Sequence, residues 1–254
     1  MQPLSVKATL DEAMAAARAT PGDASVRMKL FRLFVATGQW PRAATQLDTA
    51  SSLDTDLGFT VMVYKQALAC ERFRAEVFAG QRTPVITGEP AQWLALMIEA
   101  LRADALAPGS GAALRAQALE LAEPSAGRLN GAAFDWIADA DDRLGPVLEA
   151  FIDGKYYWVP FDRIERIDIQ APDDVLDLAW LSCEIRFSGG GSKHALLPVR
   201  YPGTETCGDD DLVLSRKTVW SGDDADGYRG TGQRVWTTND AETGLLDVRT
   251  VEIG

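Results

Sequence analysis

The sequence has 254 residues and a single histidine, His194, around which any histidine-dependent site would have to be built. A Ser-His-Asp or Cys-His arrangement needs an imidazole, so it would have to use this ring. Three glycines at 189–191 indicate a hairpin tip, where the following histidine is expected on an exposed loop. The glycines also resemble a phosphate-binding loop, but Ser192 precedes Lys193 instead of following it, and a strand is expected next. The histidine therefore gives no support for catalysis.

Two acidic clusters have residue types that could bind a cation. The segments 139–142 (Asp-Ala-Asp-Asp) and 224–227 (Asp-Ala-Asp-Gly) each resemble the opening of a calcium loop. Ala150 and Val235 stand eleven positions on, where such a loop needs a bidentate glutamate. We therefore expect solvated turn acids, with no metal, no cofactor and no catalytic residue. The abundance of Asp and Glu leaves a carboxylate-dependent hydrolase of unknown substrate as the alternative, although no pair stands out.

The three cysteines, Cys70, Cys183 and Cys207, lie far apart and form no CxxC pair. An odd number at this spacing is typical of a reducing compartment and argues against a disulfide or zinc scaffold. The N-terminal residues lack the apolar core of a secretory signal, and apolar runs such as 93–98 are too short to cross a bilayer. We expect a cytoplasmic protein.

The net charge of −12 is distributed unevenly along the chain. Residues 1–127 carry 13 acidic and 12 basic side chains, whereas residues 128–254 carry 24 and 13. This asymmetry indicates two units with different surfaces. An acidic second half would repel a phosphate backbone or an anionic membrane, so we expect no nucleic-acid and no membrane partner. A basic protein segment fits it better, with an acidic surface that only maintains solubility as the alternative.

Apolar residues of the first half recur with the period of an α-helix, and Pro or Gly residues separate the helical runs. Within 24–57, large and small residues alternate as in a tetratricopeptide unit, at Leu30, Phe34, Gly38, Ala43, Leu47 and Ala50. We predict a helical, tetratricopeptide-like domain over 1–123, with an ordinary helical bundle as the alternative. The inner face of the first repeat helix, with Met28, Arg32 and Val35, is predicted to bind partners.

After a Pro/Gly break at 124–127, short runs rich in aromatic and β-branched residues alternate with turns. The pair Asp153-Gly154 predicts a type I′ hairpin between strands at 147–152 and 155–159. Further strands are predicted at 164–169, 183–187, 194–199, 214–220, 234–238 and 246–251. We predict a β-rich acidic domain over 132–254, either a small barrel or a twisted antiparallel sheet. With the helical domain, this makes an α+β protein.

Aromatic residues are concentrated around the predicted hairpin. Alternation places Tyr156 and Trp158 on one face of their strand, and Trp180 is a third large side chain nearby in the sequence. Most of these rings are expected in the core. Those left on an outer face, beside Arg163 and Arg166, are predicted to be partner-binding anchors.

Several longer strings resemble the ImpE/TagJ (SciE-type) family. They are the segments 141–150 (DDRLGPVLEA) and 154–161 (GKYYWVPF), supported by similar strings at 38–47, 70–80, 197–205, 216–220, 230–234 and 245–249. The resemblance covers nearly the whole chain. It implies a non-catalytic adaptor of the bacterial type VI secretion system. The resemblance further implies that the protein binds the small sheath subunit and links it to the AAA+ ATPase that recycles the contracted sheath.

Overall fold

The computed structural model describes residues 6–223 and 226–254. Within these ranges the chain forms seven α-helices, of which six precede β2 (Gly127–Leu129) in sequence. They are α1 (Val6–Ala19), α2 (Ala24–Ala36), α3 (Trp40–Leu53), α4 (Gly58–Phe78), α5 (Gln92–Leu106), α6 (Ala112–Leu121) and α7 (Asp210–Val213). None of the described helices combines the length and apolar character needed to cross a bilayer.

The helix pair α2–α3 forms where the repeat-like pattern predicts one. Asp23 caps α2 by accepting hydrogen bonds from the backbone N–H groups of Ser25 and Val26. Pro41 lies in the first turn of α3, where its missing N–H costs nothing. Ala43 is fully buried, which allows the close approach of the two helices. The tetratricopeptide character of the wider helical region stays a prediction.

The described residues also form fourteen strands. They are β1 (Val85–Ile86), β2 (Gly127–Leu129), β3 (Ala132–Phe134), β4 (Ile137–Asp139), β5 (Val147–Ile152), β6 (Lys155–Pro160), β7 (Ile164–Ile169), β8 (Trp180–Phe187), β9 (Ser192–Pro198), β10 (Thr218–Ser221), β11 (Arg229–Gly232), β12 (Val235–Thr238), β13 (Glu242–Gly244) and β14 (Thr250–Ile253). The α+β class is therefore confirmed.

Most strands belong to one sheet of nine, in the order β1-β6-β5-β9-β8-β7-β14-β2-β3. All its pairings are antiparallel except the parallel pairing of β1 with β6. In the described residues, β1 and β3 are the two ends of this sheet and do not pair with each other. The sheet is open, so the barrel alternative is wrong. Two small sheets, β10-β11 and β13-β12-β4, complete the β-rich region.

The local prediction was accurate at the hairpin of β5 and β6. Asp153 and Gly154 have φ angles of 49° and 73°, as a type I′ turn requires. The predicted strand at 214–220 is wrong in its first part, because α7 ends at Val213 and β10 begins only at Thr218. Asp209 explains the helix, since its carboxylate caps α7 by accepting from the backbone N–H of Asp211.

The helices pack against one face of the main sheet. One apolar core joins Phe31 and Leu94 of the helices to Phe151, Trp158 and Trp180 of the sheet. A second core lies within the β-rich region, around Ile167 and other strand residues. The strand β1, which lies between α4 and α5 in sequence, extends the sheet beside β6. The two predicted units, 1–123 and 132–254, therefore share one apolar core. Their division into separate domains stays a prediction.

Candidate partner-binding surface

A buried ionic cluster joins α4 to the sheet. Arg74 donates from Nε and Nη2 to the two carboxylate oxygens of Glu149, at 2.7 and 3.0 Å. Arg74 Nη2 also donates to the carbonyl oxygen of Arg200, at 2.8 Å. The guanidinium of Arg234 makes a second ion pair with Glu149, and the hydroxyl of Tyr156 donates to the same carboxylate. Glu149 thus lies between two arginines in the interior.

Asp139, the last residue of β4, extends this cluster. Its Oδ2 lies 3.2 Å from Nη1 of Arg234 without hydrogen-bond alignment, so the contact is an ion pair. The hydroxyl of Tyr201 donates to Asp139 Oδ1 at 3.0 Å. Burial raises the pKa of Asp139 to about 6, although Arg234 acts in the opposite direction. Burial also lowers the pKa of Arg234 to about 10.

Arg200 fastens the end of α2 to the β-rich region. Its Nη1 donates to the carbonyl oxygen of Ala36, and its Nη2 to that of Val35 at 3.1 Å. Nη1 also donates to the carbonyl oxygen of Val213, at 2.7 Å. The last carbonyls of a helix lack partners within it and carry partial negative charge, which a buried guanidinium compensates.

An open groove lies beside this junction. We call it the junction groove; its volume is about 530 Å³. It is lined by residues of α3, α4 and the loop after β9: Trp40, Pro41, Ala44, Lys65, Leu68, Ala69, Glu71, Arg72, Arg74, Ala75, Pro202, Gly203 and Glu205. Trp40 stacks on Trp180, with ring centroids 6.1 Å apart, and Trp180 Nε1 donates to Glu71 at 2.7 Å. The groove therefore combines rigid apolar walls with charges of both signs, which suits recognition of a protein segment.

Five of the eight residues predicted to bind partners have buried side chains. These are Met28, Val35, Tyr156, Trp158 and Trp180, each no more than 6% exposed. The aromatic rings face the helical layer, where Phe78 packs against Trp158 and Phe73 against Tyr156. All five side chains belong to the apolar core that the helices and the sheet share. Their role in binding a partner stays a prediction.

The three predicted arginines reach the surface. Arg32 on α2 lies 3.5 Å from Asp174, with 40% of its side chain exposed. Arg163 is half exposed. Arg166 forms ion pairs with Asp168 and Glu252 on its own sheet. The structure does not bring the three arginines into the junction groove, and their contact with a partner stays a prediction.

The acidic cluster at 139–142 is neutralised by the protein itself. Asp141 accepts from Nε and Nη2 of Arg143, at 2.8 and 2.6 Å, and from the backbone N–H of Gly230. Asp142 accepts from the backbone N–H of Tyr228. Among the described residues, no group of three or more His, Cys, Asp or Glu side chains could hold a metal ion. Of the second cluster, residues 224 and 225 lie outside the described residues.

The buried charges were missed in the sequence, although one left a signal. Glu149 interrupts the otherwise apolar strand Val147–Ile152, and all six of its residues are buried. A carboxylate in such a strand needs a buried cation. Its partner Arg74 lies 75 positions earlier on a helix, so only the folded structure identifies the pair.

Comparisons with known proteins agree with this architecture. The ImpE protein family model matches residues 131–252. A Pseudomonas aeruginosa protein named type VI secretion system accessory component TagJ is 43% identical over 248 residues, which cover 96% of this chain and 87% of that protein. The crystal structure of a Vibrio parahaemolyticus protein superposes with a TM-score of 0.88 at 23% identity, covering 98% of this chain and 94% of that one, and shows the same fold. The chain therefore belongs to the ImpE/TagJ family.

Proposed function

We propose that this chain is a non-catalytic accessory component of a type VI secretion system that binds the small sheath subunit. The observation that supports the proposal is the 43% identity, over 96% of the chain, to a protein named as a type VI secretion system accessory component. The proposal also includes a link from the sheath subunit to the AAA+ ATPase that recycles contracted sheath, and a cytoplasmic location.

The junction groove is the surface that we assign to the sheath subunit. At about 530 Å³ it has room for a few side chains of an inserted segment rather than for a folded domain. The buried pair Arg74–Glu149 and the stacked rings of Trp40 and Trp180 hold its walls in place. A rigid groove reduces the entropy lost on binding, which favours affinity.

Calorimetric titration with the purified small sheath subunit of the same secretion system tests the proposal. We expect binding at micromolar concentrations. Ala69 on α4 lines the groove and is exposed, so Ala69→Glu places a charge in the binding space without disturbing the core. We expect this substitution to weaken binding at least about tenfold, equivalent to about 1.4 kcal/mol.

Ala15→Glu provides the matched control, because Ala15 is an exposed alanine of another helix, α1. Its affinity should stay within about twofold of the unsubstituted chain. Absence of binding by the unsubstituted chain would contradict the sheath-subunit assignment. Equal affinity of Ala69→Glu and Ala15→Glu would contradict the choice of groove.

The link to the ATPase needs a separate measurement. The immobilised chain is incubated with the ATPase, with and without the sheath subunit. The proposal predicts that the ATPase is retained in a complex that contains all three proteins. Retention of the sheath subunit alone would remove the ATPase from the proposal and leave sheath-subunit binding in place.

A further inference from the structure

The helix α6 buries little of its surface. Of its ten residues, Arg115 and Ala118 are buried, whereas Leu119 and Leu121 are 42% and 44% exposed. Across from α6, at the start of the β-rich region, Trp136 is 38% exposed. Three large apolar side chains therefore remain partly exposed near this helix.

Two depressions run along α6, with volumes of about 550 and 430 Å³, and they share Leu119 and Asp142. We call them together the α6 groove. Its helical wall consists of Ala112, Ala113, Arg115, Ala116, Leu119 and Ala122. Its opposite wall includes Trp136, Ala138, Gly145 and Pro146. The groove is therefore longer than either depression and apolar along its centre.

The helical wall carries mainly small side chains, so it projects little into the groove. Ala112, Ala113 and Ala116 present methyl groups, and Gly109 and Gly227 line the same end of the groove. Such residues let another helix approach at the short end of the usual range, about 8 Å between axes. The ten residues of α6 extend about 15 Å, which matches about three turns of a partner helix.

The charge of the groove is one-sided. Glu123, Asp142 and Glu242 line it, and Glu123 and Glu242 are exposed. Among the described lining residues the basic one is Arg115, which is buried. Its guanidinium forms an ion pair with Asp104 at 2.5 Å. An incoming cationic side chain would therefore meet carboxylates at the rim of the groove without an exposed competing cation from its described lining.

We propose that the α6 groove binds a basic amphipathic helix of a partner protein. The apolar face of that helix packs on Leu119 and Trp136, and its Lys or Arg side chains pair with Glu123 and Glu242. This combination of apolar anchors and charge complementarity is the helix-in-groove mode of recognition. The α6 groove shares no lining residue with the junction groove. A test of one groove therefore does not decide the proposal for the other.

A synthetic probe tests the inference without knowledge of the natural partner. The probe is a fluorescein-labelled peptide of Leu and Lys, about 18 residues long, patterned so that a helix has one apolar face. Its fluorescence anisotropy is measured as the full-length chain is added. We expect saturable binding. A peptide of the same composition in scrambled order should bind at least about tenfold more weakly, because it presents no apolar face.

Two double charge reversals separate the site from general attraction to an acidic protein. Glu123→Lys with Glu242→Lys reverses the rim, and Asp11→Lys with Glu12→Lys changes the net charge equally at exposed positions on α1. We expect the rim variant to bind the probe at least about tenfold more weakly and the α1 variant to stay within about twofold. Trp136→Ala, which removes an anchor without a change of charge, should also weaken binding.

Three results would overturn the inference. Equal losses in the two double variants would reduce the binding to non-specific attraction. Equal binding of the ordered and scrambled peptides would remove the helical requirement. A dimer in sedimentation that dissociates on reversal of Glu123 and Glu242 would make a second copy of the chain the occupant. Circular dichroism of each variant verifies that it is folded.

Discussion

Arg74 on α4 and Glu149 on β5 form a two-point hydrogen-bonded ion pair, with N–O distances of 2.7 and 3.0 Å, inside the core that the helices and the sheet share. Arg74→Met removes one partner and leaves Glu149 buried with Arg234 as its remaining cation and the Tyr156 hydroxyl as a neutral donor. Removing one side of a buried pair costs about 3–5 kcal/mol. We expect the free energy of unfolding, measured in urea by tryptophan fluorescence, to fall by about 3 kcal/mol, because Arg234 still compensates part of the charge.

The pair Arg82–Glu76 is the control for this substitution. Its N–O distance is 3.0 Å, but 60% of the Arg82 side chain is exposed. Exposed ion pairs contribute at most about 1 kcal/mol, so Arg82→Met should have a small effect. Equal losses from Arg74→Met and Arg82→Met would contradict the structural role of the buried pair.

Arg200 is predicted to control the stability of the last turn of α2. Arg200→Met leaves the buried carbonyl of Ala36 without this donor, and an unsatisfied buried acceptor costs about 1–3 kcal/mol. We expect faster hydrogen exchange at the end of α2 and unchanged exchange in α5. Arg216→Met, which removes an exposed contact to Asp211, serves as control. Similar exchange at the end of α2 in the two variants would refute the capping role.

Gly38 is predicted to tolerate no side chain. Its φ angle is 67°, and a Cβ atom there would lie 2.1 Å from Cβ of Glu205. Gly38→Ala combines backbone strain with a collision, so we expect a loss of at least about 2 kcal/mol in thermal unfolding. A Cβ at Gly22 would meet nothing within 4 Å, and Gly22→Ala should stay within about 0.5 kcal/mol. The prediction fails if the two alanine variants melt alike.

Asp139 is predicted to make the fold more stable as it gains a proton. Its pKa of about 6 in the folded chain exceeds its ordinary value of 3.8, so the folded state binds the proton more tightly. This stabilisation is complete below about pH 3.8 and is lost as the pH rises through about 6. Asp139→Asn cannot titrate. Urea unfolding of both proteins should show a difference in free energy that changes over this window, and a constant difference would contradict the raised pKa.

The three thiols are predicted to react unequally. Cys207 is exposed, whereas Cys70 and Cys183 are buried. Burial raises the pKa of Cys70 to about 12 and raises that of Cys183 as well, so neither forms the reactive thiolate at neutral pH. An aromatic disulfide reagent should label one thiol in the native chain and three in denaturant. Native labelling that persists in Cys207→Ser would show that a buried thiol becomes accessible.

Local structure was predictable where neighbouring residues determine it. The Asp153-Gly154 turn follows from two residues that adopt positive φ angles, and the flanking strands follow from alternation. Alternation also separates the two faces of a strand, but it does not indicate what covers each face. Tyr156 and Trp158 share a face as expected, and α4 lies over that face. No local sequence pattern indicates that α4 packs on this face.

The candidate surfaces were less predictable because they depend on contacts between distant segments. The junction groove needs Trp40 of α3 and Pro202 of the loop after β9 side by side. The α6 groove needs Leu119 beside Gly145, where an added Cβ would lie 3.0 Å from the leucine. No periodicity within one element encodes such a pairing. The acidity of the second half predicts a basic partner, and this stays a prediction.

The parallel pairing of β1 with β6 has a consequence for synthesis of the chain. Val85 is synthesised 72 residues before its partner Tyr157. Val35, at the end of α2, is synthesised 165 residues before Arg200, which donates to its carbonyl oxygen. During this interval the nascent helices have no sheet to cover Phe73 and Phe78. In a chain that stops after α6, this apolar face would stay exposed to solvent. We expect the cell to degrade such a fragment rather than accumulate it.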